Sequence, residues 1–202
     1  MTRYPAGQFI IHQGAPITGL QVVCEGLVLI SVSSGRNESF LYIIGTGGIL
    51  GLTDYYLDQR RYHISARSLT DCAISFFPQA DVSTHLGEHV SESRKMLVEM
   101  SRTTRMMERR FVLRDSAQAS DRLISALLWL SEMDPALTIP FQLDRTMLSL
   151  LIGVQPETVS RLLSQYKTAH LLSYAKGHIV INDRKRLENM LTVRIHDTLP
   201  LD

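Results

Sequence analysis

The sequence predicts an α+β chain in three parts: a β-sandwich or barrel, a long helix, and a C-terminal helix-turn-helix followed by a β wing. Three observations point there. Over about the first eighty residues, short runs rich in Val, Ile, Tyr and Phe are punctuated by Gly7, Gly14, Gly19, Gly26, Gly35 and a cluster from Gly45 to Gly51. After Pro78 the glycines nearly vanish and an apolar repeat with helical spacing begins. Near the end, two short helical patterns meet at Gly153 and precede a hairpin pattern around Lys176-Gly177. With 202 residues, 45% hydrophobic and 20% charged, the chain is large enough for two small domains with real cores. Disordered and coiled-coil-only classes are excluded on the same grounds.

Within the β part, Leu27 to Val32 and Phe40 to Ile44 read as a hairpin that turns at Ser33-Ser34-Gly35-Arg36. The uncharged stretch Ser39 to Thr53 is too short for a bilayer span and carries four glycines. Met-Thr-Arg-Tyr-Pro at the start lacks the apolar core of a signal peptide, so a cytoplasmic location is expected. The two cysteines, Cys24 and Cys72, are far apart. They fit neither a disulfide framework nor a zinc ribbon, and both are expected to be small core hydrophobes.

From Asp81 to about Arg114 one helix is expected. Val90, Ser93, Leu97, Met100, Thr104, Met107 and Phe111 recur in alternating steps of three and four, an a/d seam with charged flanks. Either the helix packs on its own β domain or it pairs with its twin; the narrow stripe favours the pairing. Asp115 to Ser120 reads as a hinge, and Ser120 as the cap of a helix carrying Leu123, Ile124, Leu127, Leu128 and Leu130, which Asp134-Pro135 ends. The expected domains are residues 1–82, the long helix over 83–116, and the winged helix-turn-helix part over 117–202.

Ile139 to Leu143 reads as a short strand, and Asp144 as the cap of a helix over Arg145 to Ile152. Gly153 breaks that helix, and Pro156 begins the next, where its missing N–H costs nothing. Leu171 to Ala175 and His178 to Asn182 form the wing, and Arg184 to Leu191 one last short helix. In such a unit the second helix enters the major groove, with its first residues meeting base edges. Those residues are Gln155, Pro156, Glu157, Thr158, Ser160 and Arg161. Glu157, Ser160 and Arg161 share one face, while Val159, Leu162, Leu163 and Tyr166 lie on the other and hold the helix to its scaffold. Arg pairs with guanine, Glu accepts from cytosine, and Ser bonds either way. The bland alternative is a Glu157–Arg161 surface ion pair. The net charge of +1 is no guide to nucleic acid, and the segment from Asp144 to Lys176 is only mildly basic.

The run from Phe141 to Leu163 resembles, without a gap, the helix-turn-helix of the CRP/FNR superfamily of bacterial transcription regulators, and the likeness extends over nearly the whole chain. That resemblance implies a cyclic-nucleotide-binding-like β-roll (a double-stranded β-helix), a dimerisation helix and a winged helix-turn-helix. It implies that Glu157, Ser160 and Arg161 form the triplet of the FNR branch, which reads TTGA-type half-sites, with Arg161 on the guanine and Ser160 on a thymine. Gln155 and Thr158 would meet phosphates, Arg145 and Thr146 would stand at the start of the first helix, and Lys176 would lie on the wing. Activation through RNA polymerase is the family's commoner outcome. The β part matches in Gly7, Gly14, Gly26 and Gly51 but departs at the ligand residues. Gly51-Leu52-Thr53 stands where nucleotide binders have Gly-Glu-Leu, and Arg61-Tyr62-His63 where they have Arg-Ser/Thr-Ala. Leu52 cannot bond a ribose hydroxyl and Tyr62 intrudes, so no tight cyclic AMP binding is expected; Leu52, Arg61, Tyr62 and His63 mark a possible effector pocket. The helix that usually precedes the roll is expected to be absent or short.

Other chemistry is weakly signalled. His85 and His89 lie four apart, but no third metal ligand is fixed by spacing, and nothing local demands haem at His12, His63 or a cysteine. A cupin-like metal enzyme needs His-x-His with a nearby Glu, and the β-region histidines are isolated. No GxSxG elbow or P-loop occurs, so no catalytic residue, cofactor or metal is expected. Control by abundance is the favoured mode, with a small-ligand, redox or haem sensor of the same fold second. The remaining alternative is a β-roll sensor acting through protein contacts alone.

Overall fold

The computed structural model describes residues 1–35, 37–57, 59–88, 90–116, 118–132, 138–139, 145–175 and 177–192; the side chains at 37, 83, 85–88, 90–92, 109–110 and 112–116 lie outside the description. The chain divides into two compact units, Met1–Met107 and Glu108–Asp202.

In the first unit two antiparallel four-stranded sheets form the β-roll. One sheet is ordered β1 (Thr2–Tyr4), β8 (Cys72–Pro78), β3 (Gly19–Glu25) and β6 (Ile49–Leu50). The other is ordered β2 (Phe9–Ile11), β7 (Ser65–Ser68), β4 (Val28–Ser34) and β5 (Asn37–Ile44). The expected hairpin is the β4–β5 pair, running from Val28↔Ile44 to Ser34↔Asn37 with one register shift between Ile30 and Ser31. Alternate residues turn inward from both sheets: Val23, Val28, Ile30, Leu50, Ile64, Ala66 and Ile74 are buried together. Between β6 and β7 lies a short helix, α1 (Leu52–Tyr56).

Cys72 is in this core, but Cys24 is exposed, which corrects the expectation of two buried thiols. The pairing of β3 with β8 shifts register between Val23 and Glu25, and that irregularity falls on Cys24. Its Sγ lies 3.2 Å from Ser75 Oγ.

After Pro78 the described residues are helical over α2 (Gln79–Glu88) and α3 (Val90–Ser116), the latter 27 residues long. His89 lies outside the described residues. Met96 and Met100 of α3 pack on Leu20, Leu52 and Val82. Leu97, Thr104, Met107 and Phe111 are exposed, Leu97 at 63% and Phe111 at 72%. The helix therefore has an apolar side packed on the β core and further apolar side chains left exposed.

The second unit packs α4 (Ala119–Ser131), α5 (Arg145–Ile152), α6 (Pro156–Thr168) and α7 (Arg184–Asn189) with the hairpin β9 (Leu172–Ala175) and β10 (His178–Ile181). The α4 stripe is buried as its spacing requires, with Leu123, Ile124, Leu127 and Leu130 fully enclosed. Its cap is corrected: Gln118 occupies the N-cap and Ser120 is inside the helix, where its carbonyl accepts the Tyr166 hydroxyl at 3.4 Å. Of the strand expected at 139–143, Thr138 bridges Val180 and the Ile139 N–H donates to the Ile179 carbonyl at 3.0 Å; residues 140–144, including the expected cap Asp144, lie outside the described residues. The same holds for Asp134-Pro135 and for Ala117 in the expected hinge.

Candidate nucleic-acid interface

The α5–turn–α6 unit forms because its sequence leaves few alternatives. Leu148, Leu151 and Ile152 bury one side of α5. Gly153 then takes φ +67°, a left-handed conformation that costs glycine little. Val154 N–H donates back to the Ser149 carbonyl at 3.0 Å, closing the turn. Gln155 is extended (φ −75°, ψ 148°) at the N-cap, and Pro156 begins the helix with its φ already set.

Val159, Leu162, Leu163 and Tyr166 bury the inner face of α6. That leaves Glu157 and Arg161 exposed on the outer face, with Ser160 half-buried beside them. No ion pair joins Glu157 to Arg161 among the described residues, so the bland alternative for this pair lacks its defining contact. The Ser160 hydroxyl donates to the Pro156 carbonyl at 2.9 Å, which occupies its proton and leaves its oxygen as an acceptor. Gln155 is exposed and Pro156 and Thr158 are half-buried. Arg145 and Thr146 are exposed in the first turn of α5, and Lys176 lies outside the described residues.

Beneath this face, burial pushes the Tyr166 hydroxyl up to about 12, helped by the Asp121 charge and opposed by Arg161. Asp121 itself is buried and accepts the Thr192 N–H at 3.3 Å and its hydroxyl. At the far end, α6 stops in a Schellman turn: Leu171 N–H reaches the Tyr166 carbonyl at 2.9 Å and His170 N–H that of Lys167 at 3.0 Å, with His170 at φ +58°. The turn leads straight into the wing. There the exposed Tyr174 ring carries the Lys167 ammonium 5.5 Å from its centroid. The sequence reading passed over this pair; the signal available was the place of Tyr174 two residues after Leu172, on the same face of β9 and paired with Ile179.

The four residues marked as an effector pocket each have contacts within the β-roll unit. Leu52 and Tyr62 are buried. Tyr62 packs against Gly51, where a Cβ would stand 2.3 Å from the ring, and donates its hydroxyl to the Gly19 carbonyl at 3.1 Å. Arg61 Nη1 donates to the Gly14 carbonyl at 2.6 Å. His63 pairs through Nδ1 with the buried carboxylate of Asp54, which also accepts the His63 N–H at 3.1 Å. A cavity of about 280 Å³ lies between the turn Gly45–Gly48 and α3, lined by Glu99, Arg102, Thr103 and Met106 among others.

A β-roll unit followed by a winged helix-turn-helix, with a polar face left open on the second helix, defines a class of two-domain DNA-binding regulators. Residues 1–89 match the model of the cyclic nucleotide-binding domain and residues 121–190 that of the Crp-like helix-turn-helix domain. The chain belongs to the CRP/FNR family and is a DNA-binding transcription regulator of that type. It is 20% identical over 184 residues to the cAMP-activated global transcriptional regulator CRP of Haemophilus influenzae, covering 89% of this chain and 82% of that one. It is likewise 20% identical to the HTH-type transcriptional regulator Cmr of Mycobacterium tuberculosis, over 91% of this chain and 73% of the relative. Among solved structures, FixK2 from Bradyrhizobium japonicum superposes with a TM-score of 0.82 at 21% identity, covering 96% of this chain and 97% of that one. A transcriptional regulator of the CRP/FNR family from Thermus thermophilus gives 0.79 at 20% identity, with 96% and 98% covered. No helix among the described residues is long and apolar enough to cross a membrane.

Proposed function

We propose that this cytoplasmic regulator binds an inverted repeat of TTGA-type half-sites as a homodimer and activates transcription through RNA polymerase, without needing cyclic AMP. One observation carries the reading. The proline-started helix α6 presents an acid, a hydroxyl oxygen and a guanidinium on one face, and neither charge is spent on the other. Arg161 takes the guanine edge, Glu157 the base pair beside it, and Ser160 contacts a thymine. Gln155, Thr158, Arg145, Thr146 and Lys176 meet phosphates and fix register, and this sequence-independent part supplies most of the affinity.

The homodimer reading draws on α3, where Leu97, Thr104, Met107 and Phe111 offer apolar or small surface to a second copy. Met100 belongs chiefly to its own β core, and the Val90 side chain is outside the described residues. Pairing of this kind sets two recognition helices about 34 Å apart, one turn of DNA.

Cyclic AMP does not fit the residues present. Its ribose hydroxyl needs an acceptor where Leu52 is buried, and its phosphate needs space and free donors where Tyr62 is packed and Arg61 already donates to Gly14. The cavity beside α3 favours a small polar ligand as the second reading.

The test is a binding assay on a duplex carrying the inverted TTGA repeat and on duplexes with its G·C pair replaced. Arg161→Ala is expected to cost about 1–3 kcal/mol per half-site and to erase the preference at that pair. Retention of the preference removes Arg161 from the guanine.

A further inference from the structure

The wing carries a group of side chains that the recognition face does not account for. Leu172, Ile179 and Ile181 anchor the hairpin in the core of the second unit, and Tyr174, on the same face and paired with Ile179, stays 49% exposed. Lys167 stands over that ring, 5.5 Å from its centroid, a cation–π contact that fixes the otherwise mobile ammonium. Burial raises the Tyr174 hydroxyl above its usual value, and the Arg145 charge acts against that rise, so a second cation bears on the same phenol. Two elements, α6 and β9, thus meet at one tyrosine, and the charge at the start of α5 acts on it.

The charges here are not spent internally. Arg184 in the same unit is bound by Glu132 at 2.6 Å and Glu188 at 2.7 Å and is a structural cation. Among the described residues neither Lys167 nor Arg145 has a carboxylate partner. Lys167 follows Ser160 by seven residues, which on an α-helix returns it to within about 20° of the same side, two turns on. The patch therefore continues the edge of the recognition face toward the wing. Two cations and a phenolic O–H make a spot rich in donors, with no carboxylate paired to either cation among the described residues. A DNA backbone phosphate, an anion with several acceptor oxygens, satisfies all three.

We propose that Tyr174, with Lys167 over its ring, clamps a backbone phosphate on the wing side of the recognition helix. The clamp rests on the DNA-binding reading above and adds to it a contact that is blind to sequence. Tyr174 supplies a neutral hydrogen bond and Lys167 the charge.

Full-length protein is titrated with a duplex carrying the inverted TTGA repeat and with a random-sequence duplex, across roughly 50–200 mM salt. Tyr174→Phe keeps the ring and is expected to weaken binding about three- to ten-fold on both duplexes with an unchanged salt slope. Lys167→Ala is expected to weaken both and to reduce the slope by about 1. A duplex with one methylphosphonate at the clamped position is expected to bind wild type more weakly and to lose nothing further with Tyr174→Phe. Wild-type binding by both variants at every salt, or a Tyr174→Phe loss that no methylphosphonate position absorbs, overturns the clamp. Arg161→Ala, measured alongside, separates the two readings. If it relaxes sequence preference while Tyr174→Phe is silent, only the clamp fails; if the protein binds neither duplex, both fail.

Discussion

Buried tyrosines make the stability of this protein sensitive to alkali. Tyr42 and Tyr166 are each pushed up to about 12, in both cases mainly by burial, Tyr42 also by the charges of Asp54 and Glu99. Below pH about 10 both phenols are protonated whether the chain is folded or not, and their contribution is intact. Between about 10 and 12 only the unfolded chain gives up the protons, so stability is lost as pH rises through that window. Urea midpoints of the Tyr42→Phe, Tyr166→Phe double variant are expected to fall less steeply over this range than those of the parent; equal slopes would exclude the two phenols as the cause. Gly51 is a second residue-scale test. At φ +73°, with the Tyr62 ring where a Cβ would lie, Gly51→Ala combines strain and a clash and is expected to cost about 1–3 kcal/mol in a thermal melt. An unchanged melting temperature would mean that the Tyr62 ring is free to move aside.

At the scale of elements, what the sequence revealed followed from periodicity, and what it concealed followed from local geometry. The α5, Gly153 and Pro156 positions were legible because a left-handed turn and a proline-started helix each accept so few residue types. The two faces of α6 were legible for the same reason, since Val159, Leu162, Leu163 and Tyr166 must be buried together. Cys24 was not, because one register shift in β3 reverses which side of the sheet a residue meets. Nor was the cap of α4, where a serine two residues inside the helix resembles one at its start. The long helix was half legible: its stripe was evident, but not its division between a core-facing side with Met96 and Met100 and an open side with Leu97 and Phe111. That division makes a clean experiment. Leu97→Glu with Phe111→Glu alters exposed positions and is expected to leave circular dichroism unchanged while shifting sedimentation from dimer to monomer and weakening DNA binding. A double variant that still sediments as a dimer would place the interface elsewhere.

The molecule joins a cyclic-nucleotide-binding-type fold to a DNA-binding fold, and at the positions where the family resemblance implies nucleotide contacts it has side chains bound to its own residues. Leu52 and Tyr62 complete the core, Arg61 holds the Gly14 carbonyl, and His63 holds Asp54. On the proposed reading cyclic AMP shifts no equilibrium here, since a ligand acts only by its differential affinity for two states. What remains is a recognition helix whose chemistry is fixed by four neighbouring residues, Pro156, Glu157, Ser160 and Arg161. The most direct test is selection of bound duplexes from a random pool by the full-length protein, with and without cyclic AMP. The account predicts the same enriched inverted repeat of TTGA-type half-sites in both pools. A pool without any inverted repeat, or one that appears only when the nucleotide is added, would contradict it.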